Sequence, residues 1–262
     1  MSIRTTLLER ILEPDGIAVV FQPIYSLGSD CPKLYALEGL VRGPIGTNME
    51  SADVLFEYVR RKREESLVDR VCVSRVLQAA REFPGTPRIS LNVHASTLGR
   101  DPEFVTFLGD QAAAAEMSPT RLTVEIVEHS PFWDGPSFFR AVSGLRELGV
   151  RIALDDVGLG QSNYRMMLDS HPDYLKIDRY VVDGSSSDYF RQCILRSIGD
   201  LARAFYAHAV AEGLDNMADL KAVMDAGLDL VQGFLLCQPA NAATLTRIGA
   251  LNGALNQLSE AS

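Results

Sequence analysis

The chain has 262 residues, 47% of them hydrophobic and 23% charged, which is enough apolar material for a sizeable globular core. Lys and Arg number 25 against 34 Asp and Glu, and the net charge of −9 leaves no basic surplus to displace counterions from a nucleic-acid backbone. A small anionic ligand stays open only where cations gather in one site.

The opening stretch, MSIRTTLLERILEPDG, mixes charges among its apolar positions; it reads as a short helix rather than a signal peptide. No later run reaches the length of a membrane-spanning helix, so a cytoplasmic protein without a membrane segment is expected. AVVFQPI and KLYALEGLV follow as two strands, and the connection YSLGSDCPKL between them is too short for a crossover helix, which predicts an antiparallel first pair. Residues 50–82 read as two helices, SADVLFEYVRR and SLVDRVCVSRVLQAAREF. Six more short aliphatic runs come after them: RISLNV, RLTVEIVE, RIALDD, DYLKID, HAVAEG and LDLVQGF. In PSFFRAVSGLRELG, Phe138, Val142 and Leu145 share a helical face and Gly149 is a stop signal. Strands alternating with helices imply parallel pairing, and eight of them imply an α/β fold, a modified TIM (β/α)₈ barrel with one antiparallel strand. No Pro/Gly/Ser-rich linker interrupts the chain, which predicts a single domain over 1–262 with its barrel core at about 17–245 and a helical C-terminal tail. Cys31, Cys72, Cys193 and Cys237 form no C-x-x-C pair, so reduced thiols are expected.

Side chains two apart on a strand share a face. That parity sends the aliphatic residues of RISLNV, LTVEIVE and YLKID outward to the helices, and it sends Glu38, Asn92, Glu125, Asp155, Lys176, Glu212 and Gln232 inward near the C-terminal strand ends. Barrel interiors are ordinarily apolar and catalytic groups gather at that rim, so several carboxylates converging with one Lys point to chemistry. In RIALDDVGLGQSNY, Asp155 and Asp156 repel each other and need a metal ion, a Lys or solvent to offset them. The set is rich in hard oxygen donors and poor in His and Cys, which favours Mg²⁺ or Mn²⁺ over Zn²⁺. An enolase-type barrel also lines acids along successive strands with a Lys, but only about twenty residues precede the first strand, too few for its capping domain. A glycosidase would leave Asn92 and Lys176 unexplained.

ALEGLVR, LNVHAS, VEIVEHS, ALDDVGLGQSN, YLKID, VAEGLDN and VQGFLLCQP, in this order from Phe21 to Pro239, resemble the EAL-domain family of cyclic di-GMP phosphodiesterases. The resemblance implies ligation of Mg²⁺ or Mn²⁺, in a pair, by Glu38, Asn92, Glu125, Asp155, Asp156 and Glu212. It implies that Lys176 holds and activates the attacking water, with Glu38 and Glu212 alongside it in catalysis, and that Gln232 supports the site by hydrogen bonding. Gln22, Leu40, Arg42, Gln232 and Pro239 match positions against the dinucleotide, and Glu128 and Asp215 match residues supporting the loop after the paired aspartates. The implied reaction opens cyclic di-GMP to linear pGpG, and the implied assembly is a homodimer whose input signal comes from a partner or a region outside these residues.

The chain also departs from the family pattern. Gly39 replaces the usual Ala between Glu38 and Leu40, a small-for-small exchange expected to leave Glu38 in place. After the paired aspartates, Val157, Leu159, Gln161 and Asn163 stand where an aromatic, Thr, Tyr and Ser are usual, and Asp215 is one methylene shorter than Glu. A receptor that binds cyclic di-GMP with little turnover is therefore the second expectation. His94, His129 and Trp133 follow ligand strands and read as hydrogen-bonded or packing residues; His171 and His208 belong to the opposite rim; RRKREES at 60–66 reads as a solvated helix end. Asp178, on the face of Lys176, reads as electrostatic support that keeps the Lys charged.

Overall fold

The structure, a computed structural model, describes residues 6–13, 16–28, 32–127, 135–159 and 164–252. Eight strands close a barrel in chain order: β1 (Ala18–Ser26), β2 (Lys33–Arg42), β3 (Ile89–His94), β4 (Leu122–Val127), β5 (Arg151–Val157), β6 (Tyr174–Ile177), β7 (His208–Ala211) and β8 (Leu230–Val231). All eight predicted runs are strands. β1 lies antiparallel to both neighbours, with Gln22 opposite Glu38 and Tyr25 opposite Val231, whereas the other neighbours pair in parallel. The short first connection dictated that reversal.

Around the barrel run α1 (Leu7–Leu12), α2 (Ala52–Lys62), α3 (Glu65–Ala80), α4 (Ala95–Arg100), α5 (Phe104–Ala114), α6 (Gly135–Glu147), α7 (Tyr164–Ser170), α8 (Arg179–Val182), α9 (Tyr189–Ala204), α10 (Met217–Asp225) and α11 (Ala242–Arg247). Local chemistry sets their ends. Thr6 and Glu9 close a capping box on α1, Asp188 caps α9 through Phe190 N, and Asn216 caps α10 through Asp219 N. Helix α6 buries Phe138, Val142 and Leu145, and the chain turns at Gly149, whose φ of 85° is a left-handed conformation suited to glycine.

The parity of the strands divides the core in two. Leu91, Val93, Val124, Ile126, Leu154, Leu175 and Ile177 face outward and pack with Val68, Val73, Leu77, Phe138 and Leu195 from the helices. Each such side chain contributes about 1.5–3 kcal/mol by leaving water. Ile24, Ala36, Ala153, Tyr174, Val210 and Leu230 fill the lower barrel interior as a separate cluster. The interior above that plug is polar. Cys72 and Cys237 are buried free thiols and Cys193 is a half-buried one, while Cys31 lies outside the described residues.

Candidate functional site

The inward carboxylates converge on one ammonium. Lys176, 2% exposed in β6, places Nζ 2.5 Å from Glu125 Oε2, 2.7 Å from Glu212 Oε1, 3.3 Å from Asp155 Oδ1 and 3.4 Å from Glu38 Oε2. Strand register explains the meeting. Asn92 pairs with Glu125 across β3 and β4, Lys176 pairs with Val210, and Glu212 N donates to Ile177 O just beyond the end of β7. Glu38 is further held by Asn92 Nδ2 at 2.9 Å and Gln232 Nε2 at 2.7 Å, and Gln232 also reaches Gln22 Oε1 at 3.3 Å. Gln232 Oε1 is buried with no hydrogen-bond partner.

The doubled aspartate has a backbone cause. Between Leu154 and Val157 the register slips, so β5 spends three steps where β6, from Leu175 to Ile177, spends two. In a regular strand Asp155 and Asp156 would point to opposite faces; the bulge, with Asp156 at a φ of 55°, lets both line the mouth. Asp is among the few non-glycine residues that visit the left-handed region readily. Asp178 does not pair with Lys176. It accepts from Tyr180 N at 2.6 Å to cap α8, and its negative charge helps to raise Asp156.

Four carboxylates on one cation leave a surplus of negative charge, which shows in their proton affinities. Burial first, then the charge of Glu38, pushes Glu125 up to about 8. Burial, then Asp155 and Asp178, pushes Asp156 up to about 6, and burial lifts Asp155 and, more strongly, Glu212. Glu38 alone falls below its ordinary value. Burial opposes this, but Lys176, Asn92 and Gln232 together outweigh it. Lys176 rises well above its usual range, because the surrounding acids overcome the cost of burial.

These side chains fit divalent cations by chemistry and charge. They offer hard oxygens from five acids and one amide, they carry unbalanced negative charge, and they hold protons that a cation would displace. As they stand they are turned on the lysine: among the described residues, no three or more His, Cys, Asp or Glu side chains are set as a ready cage for a metal.

Two cavities open on either side of the cluster. One, of about 260 Å³, is lined by Leu40, Arg42, Phe56, Asp69 and His94; the other, of about 200 Å³, by Gln22, Arg179, Asp215, Gln232 and Phe234. Both touch Glu38 and Asp155, so the carboxylates stand at the divide. Arg42 Nη1 donates to Val41 O at 2.9 Å, and Asp215 accepts from Arg179 Nη2 at 2.5 Å. Pro239 lines neither cavity; it precedes Ala240, which pairs with Phe21 of β1. Leu159 is 46% exposed, while Glu128, His129, Trp133, Gln161 and Asn163 lie outside the described residues.

Sequence reasoning missed the wall of the larger cavity. Asp69, 1% exposed on α3, accepts from His94 N at 2.9 Å, His94 Nδ1 at 2.8 Å and Thr97 Oγ1 at 2.5 Å. Burial pulls His94 down, but Asp69 outweighs it and raises the imidazole above its ordinary value. One signal was present: an acid on the stripe Glu65, Asp69, Cys72 and Val76 that α3 buries.

The family model described as the EAL domain matches residues 5–239. The probable cyclic di-GMP phosphodiesterase PdeA of Escherichia coli is 32% identical over 123 residues, covering 47% of this chain and 17% of that protein. The cyclic di-GMP phosphodiesterase NbdA of Pseudomonas aeruginosa is 25% identical over 252 residues, covering 91% of this chain and 31% of that protein. The chain thus spans at most about a third of these relatives' length. In fold it is similar to Klebsiella pneumoniae BlrP1 in a calcium/cy-diGMP complex, with a TM-score of 0.77 and 22% identity over 92% of this chain and 58% of that one.

Proposed function

The chain belongs to the EAL domain family, and from that premise we propose that it is a metal-dependent phosphodiesterase that opens cyclic di-GMP to linear pGpG. One observation carries the reading: Lys176 and four carboxylates stand where two cavities meet, so a ligand with two nucleotide halves can fill both cavities and lay a phosphate across the charged divide.

Glu38, Asn92, Glu125, Asp155, Asp156 and Glu212 would hold the Mg²⁺ or Mn²⁺ ions. Bound there, the ions supply a lowered water pKa and offset the charge of the phosphoryl oxygens. The chain's own groups do the rest. Leu40 and Arg42 receive one half of the ligand, with the guanidinium fork suited to a phosphate or a guanine edge. Gln22 and Gln232 lie toward the other half; Pro239, which lines neither cavity, is assigned to the ligand by the family resemblance alone. Lys176, kept charged by its neighbours, holds the attacking water in line with the phosphorus. The water gives up a proton as its oxygen bonds phosphorus, one phosphodiester P–O bond breaks, and the released ribose oxygen takes up a proton, so that one water is added overall. Asp215, held by Arg179, supports the loop that begins after Asp156, a part that the family resemblance also gives to Glu128.

No helix among the described residues is long and apolar enough to cross a membrane. The exposed Tyr164 and Leu168 on α7, after the aspartate loop, favour a homodimer through that face, with regulation by a partner or an outside segment.

Purified protein incubated with cyclic di-GMP and either Mg²⁺ or Mn²⁺ should release pGpG on chromatography. Tight binding with the ligand intact under both metals would replace the enzyme with a receptor.

A further inference from the structure

We propose that Val76 on α3 is a positioning residue for Glu38, acting through Gly39, and that this interlock excludes alanine at position 39. What Glu38 does rests on the phosphodiesterase reading; the contact does not.

Gly39 lies between Phe21 of β1 and Leu91 of β3, and the direction its side chain would take leads outward to α3. A Cβ there would sit 2.3 Å from Val76 Cγ1, 3.0 Å from Cγ2 and 3.2 Å from Cβ, and real Cβ atoms essentially never approach within 3.0 Å. Val76 lines the larger cavity together with Gly39, so its one way out is a turn of its side chain toward that space. Against that turn, the valine is 3% exposed, and a β-branched side chain in a helix holds one strongly preferred rotamer. Nor is α3 free to withdraw, because Asp69 ties it to His94 at the end of β3 through both carboxylate oxygens. An added methyl must therefore drive β2 toward the barrel axis by about 1 Å to reach an ordinary contact of 3.4 Å. Glu38 is the next residue along. Its bonds from Asn92 at 2.9 Å and Gln232 at 2.7 Å do not survive so large a displacement. The small-for-small exchange expected to be neutral is instead one half of a matched pair, and the other half is the valine.

The test compares G39A, the double variant G39A/V76A, and the control G109A, whose added methyl on α5 meets only Leu148 Cδ1 at 3.7 Å. Mn²⁺ affinity is measured by calorimetry well below each melting temperature, together with cyclic di-GMP turnover. G39A should lose between about 10-fold and 10²-fold in both, the scale of a misplacement near 1 Å. G39A/V76A should return to within about threefold of the parent, as expected for two residues coupled by direct contact, and G109A should match the parent. A G39A protein that melts lower yet binds Mn²⁺ normally would reduce the contact to packing and overturn the proposal, as would a double variant that fails to recover. If the parent chain itself shows neither Mn²⁺ binding nor turnover, the phosphodiesterase reading fails. The interlock is then judged by whether V76A restores the melting temperature lost in G39A, and no restoration overturns it too.

Discussion

At the floor of the barrel Tyr35 and Tyr174 meet hydroxyl to hydroxyl at 2.7 Å, with Arg151 donating to Tyr174 and the His208 ring stacked 5.9 Å away, over the aliphatic plug of Ile24, Ala36, Ala153 and Val210. At the mouth, two residues further along β6, Lys176 faces four carboxylates. Both ends are polar, but at the mouth Lys176, Glu38 and Glu125 are buried, while of the polar groups at the floor only Tyr174 is, with Tyr35 and Arg151 half-buried and His208 exposed, and the two behave differently. The floor carries mutually complementary groups; burial, then Tyr35, lifts the Tyr174 phenol to about 12, so it stays neutral at every ordinary pH. The mouth carries like charges that must share protons or recruit cations. In this fold the first arrangement serves stability and the second is the kind of strained electrostatics from which catalysis is built.

The largest expected effect that would sharpen this contrast is at Glu38. Glu38→Ala should lower turnover by at least about 10³-fold, since several kcal/mol of charge stabilisation depends on the metal site, and circular dichroism should report an unchanged fold. Normal rates would show that Glu38 holds no ion. Next comes Lys176→Ala, for which turnover should fall by about 10²- to 10⁴-fold, more than Mn²⁺ affinity falls; equal losses in both would count against a water-positioning lysine.

A pH series separates the two ends more gently. Glu125 is held near 8, above its ordinary carboxylate value of 4.5, so the folded state binds a proton there that the unfolded chain has released. That contribution to stability is complete below the ordinary value and is lost as pH rises through about 8. Without divalent ions the melting temperature should therefore fall across that window. Mn²⁺ should restore it most at the alkaline end, with protons released on binding in calorimetry. A flat profile with no proton release would mean that the mouth holds no protons to give up.

The smallest effect belongs to the floor. Tyr174→Phe removes one hydroxyl from a paired contact and should cost about 1 kcal/mol in denaturant unfolding, with turnover unchanged. A large loss of activity would show that floor and mouth are not separable.

Residue order by itself determined the strands, their reversal at the first pair, and the inward parity of Glu38, Asn92, Glu125, Asp155, Lys176, Glu212 and Gln232. It could do so because strand parity and short connections are local properties, readable over a few residues. Three features were decided only by the folded chain. The bulge that turns Asp155 and Asp156 to one side depends on the register of β6. The burial of Asp69 against His94 joins a helix to a strand 25 residues on, and the need for glycine at 39 comes from a valine on α3. Each depends on a neighbour supplied by distant chain, and the pattern of one segment carries no information about what will be packed against it.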